Sequence, residues 1–268
     1  MIKQTTPQKT LAKSIRLEGV GLHSGKKIDL ELKPAEENSG IKFVRTDYNP
    51  PVEIPALANF VLRTERSTTL IKEEVEIQTT EHLLAALIGS SINNCTIEIN
   101  GSELPILDGS SKPYCDAIAK AGVIEQDEPQ EVFVVQEVLQ HKDPDTGSEI
   151  LIVPSDHTSY SVMIDFETTV LGTQNAVLER IDDFAKEIAP ARTFSFLHEL
   201  EQLLDHGLIK GGDLNNAIVY VNQPLANANM ERLKKAFGKD QITVKPNGIL
   251  DNLKLNHTNE AARHKLLD

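Results

Sequence analysis

The chain has no tryptophan, and its 268 residues include only 8 Phe and 4 Tyr. A core built from this composition is mostly aliphatic, packed from Leu, Ile, Val and Ala rather than from large rings. Cysteine is also scarce, with only Cys95 and Cys115 present. A disulfide framework is therefore not expected, and a reducing cytoplasm is the natural compartment. No apolar run approaches the roughly 20 residues that span a bilayer, so no transmembrane segment is expected. The opening MIKQTTPQKTLAKS lacks the apolar stretch of a secretory signal. Cations are outnumbered, 27 Lys and Arg against 40 Asp and Glu, giving a net charge of -13. That sign disfavours broad binding of nucleic acid or an anionic membrane, whereas a small anionic substrate needs only a few local cations. There is no Gly-x-Ser-x-Gly elbow for a serine nucleophile and no His-Glu-x-x-His helix of a zinc peptidase.

What is present reads as short strands followed by helices. KKIDLELKPA (26–35) alternates, placing Ile28, Leu30 and Leu32 on one face of a strand, and GIKFVR (40–45) is a second strand. TTEHLLAALIGSS (79–91) predicts a helix with Thr79 or Thr80 as cap, Glu81 in its first turn and Gly89 near its end. NNCTIEING reads as a strand, and SSKPYCDAIAKAGVI (110–124) as a helix opened by Ser110 or Ser111 and stopped at Gly122. EQDEPQE (125–131) is acidic, carries a proline and has no apolar residue, so it is the best linker. Beyond it, VFVVQEVLQ, SEILIVPS and YSVMIDF predict strands, and SFLHELEQLLDHGL (195–208) an amphipathic helix. NAIVYV predicts a buried strand, and NEAARHKLLD a final helix capped by Thr258 or Asn259. Strands then helices, twice over, predict an α+β protein of two similar domains, placed at 1–126 and 130–268.

Two short stretches carry chemistry. Glu81-His82 heads an otherwise apolar helix. On its own it reads as a dipole-favoured acid beside a half-buried histidine, or as a metal ligand with an adjacent general base. His264 and Asp268 stand four apart, on one helical face. They read either as a surface charge pair or as half of a metal site. Taken with His82 they make three N/O ligands and leave a fourth position open, the pattern of a catalytic zinc. In the insert-like stretch after residue 194, Leu197, Leu200, Leu203, Leu204, Leu208 and Ile209 offer more apolar surface than one short helix usually exposes. From periodicity alone, packing within the same domain is the commoner account of such a stripe.

In combination and order, six motifs resemble the UDP-3-O-acyl-N-acetylglucosamine deacetylases, zinc amidases of the committed step of lipid A synthesis in Gram-negative bacteria. They are GVGLHSG (19–25), TEHLLAAL (80–87), ELPILDGSSKPY (103–114), ARTFSF (191–196), GLIKGGDLNNAIV (207–219) and RHKLLD (263–268). The resemblance runs over essentially the whole chain. It implies two α+β domains, each a mixed β-sheet with helices, packed as a layered sandwich with the active site at their interface. His82, His264 and Asp268 match the ligands of a Zn2+ cofactor, and Glu81 the general base that activates water there. Thr193 matches the residue that helps hold the oxyanion. Lys265 matches a cation suited to the oxyanion or to a nucleotide phosphate, and Phe194 is expected near the sugar. Residues 194–219 match an insert that forms a tunnel for the acyl chain, with Leu197, Leu200, Ile209, Ala217 and Val219 along it. Lys210 either touches phosphate or is solvated.

The implied partner is a UDP-linked acylated glucosamine, bound by a monomer. His23 comes near the active site in relatives without an assigned step, and Ser24 stands where the family typically has Thr. Relatives continue past the HKLLD motif, with a further Asp and a His that acts as general acid. In some of them a 3-hydroxyacyl-carrier-protein dehydratase follows, so these 268 residues are expected to be the N-terminal part of a longer chain. The competing reading is a protein that binds the same nucleotide-sugar lipid without turnover.

Overall fold

The structure, a computed structural model, describes residues 2–199, 216–222, 231, 234, 241–246, 248–250 and 253–268. Most of the helix predicted at 195–208, and with it Leu200, Ile209 and Lys210, lies outside the described residues. Among those described, the chain is a mixed α+β protein with small sheets and few helices.

The largest sheet has five strands in the order Ile15–Val20, Lys27–Pro34, Cys95–Ile99, Ile41–Arg45 and Val52–Pro55. Its pairs are antiparallel except Ile41–Arg45 with Cys95–Ile99, which is parallel. The alternation read from the sequence holds here. Ile28, Leu30 and Leu32 are buried beside Ile97, Ile99, Phe43 and Ile54. Helices α1 (Glu81–Gly89) and α2 (Lys112–Ala121) belong to the same core. Each contributes an apolar stripe at helical spacing, Leu83, Ala86 and Leu87 from α1 and Tyr114, Ile118 and Ala121 from α2. Tyr114 donates from its buried hydroxyl to the Pro105 carbonyl at 2.6 Å, so its polar tip is not stranded there.

A second cluster gathers Ile164, Ala176, Phe196, Ile218 and Tyr220. Helix α3 (Phe184–Glu187) packs its Phe184 and the following Ile188 into the first cluster instead. Helix α4 (Glu260–Leu267) joins the two, with Ala261 and Ala262 in the second cluster and Leu267 in the first.

Two expectations are corrected. The acidic stretch 125–131 is not an irregular linker, because it lies inside the strand Val123–Phe133, paired antiparallel with Ile2–Leu11. A two-stranded ribbon on the surface is held by main-chain hydrogen bonds and needs no apolar face, so its composition imitates a loop. Pro129 sits opposite Pro7, where the register shifts, and a missing N–H costs little there. Asp127 and Glu128 donate their amides to Glu37, at 2.7 and 3.2 Å. VFVVQEVLQ accordingly divides between this ribbon and a separate strand, Leu139–Lys142.

The expected side-chain caps are the second correction. Thr80, Ser111 and Asn259 occupy the N-cap positions of α1, α2 and α4, and none caps through its side chain, whereas the hydroxyl of Ser110, the other residue expected to open α2, accepts the Lys112 amide at 3.1 Å. Thr80 and Ser111 turn their hydroxyls to carbonyls of other segments, Thr68 and His82. Asn259 gives its amide to the Asn175 carbonyl. Tertiary partners outcompeted the local cap because they tie separate segments together.

The neighbours Leu87 and Ile88 are 0% and 53% exposed. Leu87→Ala is expected to cost about 2–5 kcal/mol in urea unfolding, and Ile88→Ala to stay within about 0.5 kcal/mol. Equal effects would contradict the assignment of the α1 core face.

Candidate metal centre

Glu81 and His82 head α1, and the chain enters the helix through a strained turn. Thr79 has φ 60°, an unusual value for a β-branched residue. The turn is held by the strip before it. The Thr80 hydroxyl donates to the Thr68 carbonyl at 3.0 Å, and the Thr68 amide donates to Glu81 Oε2 at 2.9 Å. Burial raises the Glu81 carboxyl to about pKa 7, against the lowering effect of these backbone amides. His82 is buried, and its carbonyl accepts the Ser111 hydroxyl at 2.7 Å. Burial first, and then the nearby His264, lower the His82 pKa to about 3, so its ring stays neutral. Its Nδ1 is buried without a hydrogen-bond partner among the described residues. A neutral imidazole with an unsatisfied buried nitrogen is suited to metal binding.

The other half comes from α4. Buried His264 places Nδ1 3.0 Å from the Ala191 carbonyl. A carbonyl only accepts, so Nδ1 donates to it and Nε2 is the ring nitrogen turned to the carboxylate. That Nε2 lies 3.5 Å from Asp268 Oδ1, across the i,i+4 spacing. The His82 and His264 rings meet edge to face, with centroids 5.1 Å apart. One ligand atom from each of His82, His264 and Asp268 falls within 4.8 Å of the others. Lys265 Nζ donates to Asp268 Oδ2 at 2.7 Å. Burial would raise the Asp268 pKa, but the pull of His264, Lys265 and His82 outweighs it and holds the carboxyl below its ordinary value. Two imidazoles and a carboxylate make a donor set that fits zinc.

A cleft of about 690 Å³ opens over these groups. Phe194 reaches it from the strand Phe194–Phe196 and Thr193 from the residue before that strand, and Val219 and Ala217 from the parallel partner Ile218–Tyr220 and the residue before it. Lys265 also lines it, with Nζ 5.7 Å from the Phe194 ring centroid. Leu197 is 5% exposed and buried, and it is not among the lining residues.

Several parts of the lining escaped the sequence reading. The strip Thr64 to Thr68 forms a polar wall, and Phe166 adds an aromatic one. The first of these carried a signal, a run of hydroxyl and charged residues in RTERSTT between apolar stretches. His23, already expected near the site, lines the cleft together with Leu22. Their loop is held by buried Glu103, which accepts the amides of His23 and Ser24 at 2.8 Å each. The LDGSS turn does more than redirect the chain. Gly109 lies so close to the second half that a Cβ there would sit 1.8 Å from the Asn216 carbonyl oxygen. Its own carbonyl accepts the Thr193 amide at 2.8 Å.

With that geometry in place, the relatives are informative. The chain belongs to the LpxC family, UDP-3-O-acyl N-acetylglycosamine deacetylase, whose profile matches residues 8–239. It is 44% identical over 264 residues to the bifunctional enzyme LpxC/FabZ of Chlorobaculum tepidum, covering 97% of this chain and 56% of that one. The LpxC/FabZ enzyme of Porphyromonas gingivalis is 41% identical over 261 residues, with the same coverage. The UDP-3-O-acyl-N-acetylglucosamine deacetylase of Myxococcus xanthus is 40% identical over 268 residues, covering 97% of this chain and 85% of that one. The chain thus spans a little over half the length of the bifunctional relatives.

Gly109 and Gly147 both have positive φ, 82° and 72°, but a Cβ on Gly147 meets nothing within 4 Å. Gly147→Ala adds backbone strain alone, whereas Gly109→Ala adds overpacking worth about 1–3 kcal/mol more. Thermal unfolding of the two variants measures the difference. Equal losses would contradict the close approach at Gly109.

Proposed function

We propose that this chain carries the active site of a zinc-dependent amidase. It removes the N-acetyl group of UDP-3-O-(3-hydroxyacyl)-N-acetylglucosamine and releases acetate, a step of lipid A biosynthesis. The observation that carries the reading is the convergence of Glu81, His82, His264 and Asp268 on one cleft from segments distant in sequence. The names of the relatives, deacetylases and LpxC/FabZ enzymes, support the same reaction.

His82, His264 and Asp268 would hold the zinc. When bound, that ion supplies Lewis acidity, polarising the acetamide carbonyl and acidifying water beside it. The rest of the chemistry falls to side chains of the chain itself. Glu81, with a pKa near neutrality, is matched to taking a proton from water at physiological pH and holding it. The Thr193 hydroxyl donates to the oxygen on which negative charge develops. The Lys265 ammonium offsets charge either there or on the diphosphate. Phe194 packs against the sugar, and Ala217 and Val219 begin an apolar path for the acyl chain. Leu200 and Ile209 belong to that path in this reading, and Lys210 to its rim, whereas the buried Leu197 packs away from the cleft.

In this reading the chain forms two domains, 1–126 and 130–268, layered with the site between them; the second hydrophobic cluster lies wholly in the latter, and the first also takes in Leu178, Phe184 and Ile188 from it. No helix among the described residues is long and apolar enough to cross a membrane. With two free cysteines, this supports a cytoplasmic enzyme. In this reading the enzyme acts as a monomer.

Glu81→Gln keeps the shape and removes the base. It is expected to lower kcat for acetate release by about 10²–10⁴-fold while the bound zinc stays at the level of the unsubstituted protein. His82→Ala should lose the zinc itself, as measured by atomic absorption after gel filtration. Full turnover in either variant would sink the assignment.

A further inference from the structure

We propose that Arg192 and Glu260 are positioning residues for the metal-ligand set, fixing His264 from behind the cleft. This inference rests on the metal reading above. Both side chains are buried, with Glu260 0% and Arg192 8% exposed, and neither lines the cleft. They act only through what they hold.

The carboxylate of Glu260 is surrounded by donors. Oε1 accepts Arg192 Nε at 2.8 Å and the Arg192 amide at 3.1 Å. Oε2 accepts the Asn256 amide at 2.6 Å and a second Arg192 nitrogen at 3.3 Å. That same nitrogen donates to the Lys254 carbonyl at 2.6 Å, and the Asn256 side chain donates to the Pro190 carbonyl at 2.9 Å. Three segments, 190–192, 254–256 and the start of α4, are therefore locked together.

The lock sits at both ends of one hydrogen bond. Ala191, next to Arg192, supplies the carbonyl that orients the His264 ring. Glu260 lies one turn before His264 on α4. Thr193, on the other side of Arg192, faces the cleft. Stability alone is a poor reason for such a pair, since apolar side chains of similar volume stabilise a buried site as well or better. What apolar packing lacks is direction. A forked guanidinium on a carboxylate sets the strand and helix in one registry. Outer groups of this kind fix ring orientation and tune metal affinity.

The test compares Arg192→Lys and Glu260→Gln with Phe43→Leu, a core control buried in the five-stranded sheet. Zinc affinity is read by competition with a chelator, coordination geometry by the visible absorption of the cobalt-loaded protein, and fold by Tm. The two pair variants are expected to bind zinc about 10- to 100-fold more weakly, with a shifted cobalt band. Phe43→Leu lowers Tm and leaves both metal readouts unchanged.

Pair variants that lose Tm but bind zinc as tightly as the unsubstituted chain would overturn the inference alone. An unsubstituted chain that takes up no zinc overturns the metal reading and this inference with it. If the pair variants do not fold, hydrogen exchange on the unsubstituted chain decides. Coupling is reciprocal, so zinc must slow exchange at the Arg192 and Asn256 amides. Unchanged protection there overturns the proposal.

Discussion

The buried contact between Arg192 and Glu260 is the constraint on which the second half of the site depends. A guanidinium and a carboxylate, both out of water, tolerate each other only because every lone pair and most donors are used. Removing one partner from such a pair costs about 3–5 kcal/mol, because the other is left as an uncompensated charge. The contact therefore forms as a unit with α4 seated on the segment 190–193. That seating places α4 across two hydrophobic clusters, with Leu267 in one and Ala261 and Ala262 in the other. His264 lies on the helix that joins them.

Two other contacts complete the frame from the first half. The Ser111 hydroxyl holds the His82 carbonyl, and Thr68 holds both Thr80 and the Glu81 carboxylate. The resulting cleft separates three titratable groups by environment. His82 is kept neutral by burial, Asp268 is kept ionised by its cationic and imidazole neighbours, and Glu81 is raised toward neutrality by burial. A metal ion requires the first two states, and a general base at physiological pH requires the third. Pairs of groups pushed apart in pKa within one cleft are a mark of acid–base chemistry.

Much of this was legible in the sequence wherever a local pattern had a single structural meaning. The alternation of Ile28, Leu30 and Leu32 and the stripe of α1 gave strand and helix because burial enforces those periods. His264 and Asp268 were paired by helical spacing, whereas His82 joined them as a third N/O donor and through the combination of motifs, since spacing says nothing across distant segments. The acidic stretch 125–131 misled because an exposed ribbon and a linker share a composition. Caps misled because Thr80 and Ser111 found partners from other segments, which no local rule reveals. Arg192 and Glu260 were invisible as a pair: 68 residues separate them, and each alone reads as a surface charge. The role of Gly109 was hidden for the same reason, since a glycine in a turn gives no sign of what approaches it.

The central claim is that His82, His264 and Asp268 form one metal-binding site. X-ray absorption at the zinc edge of the zinc-loaded protein tests it directly. The expected spectrum is a shell of nitrogen and oxygen at about 2.0–2.2 Å with the multiple-scattering signature of two imidazoles. It should fall to one imidazole in His264→Ala. A sulfur shell at about 2.3 Å, or a two-imidazole spectrum that survives His264→Ala, would contradict it.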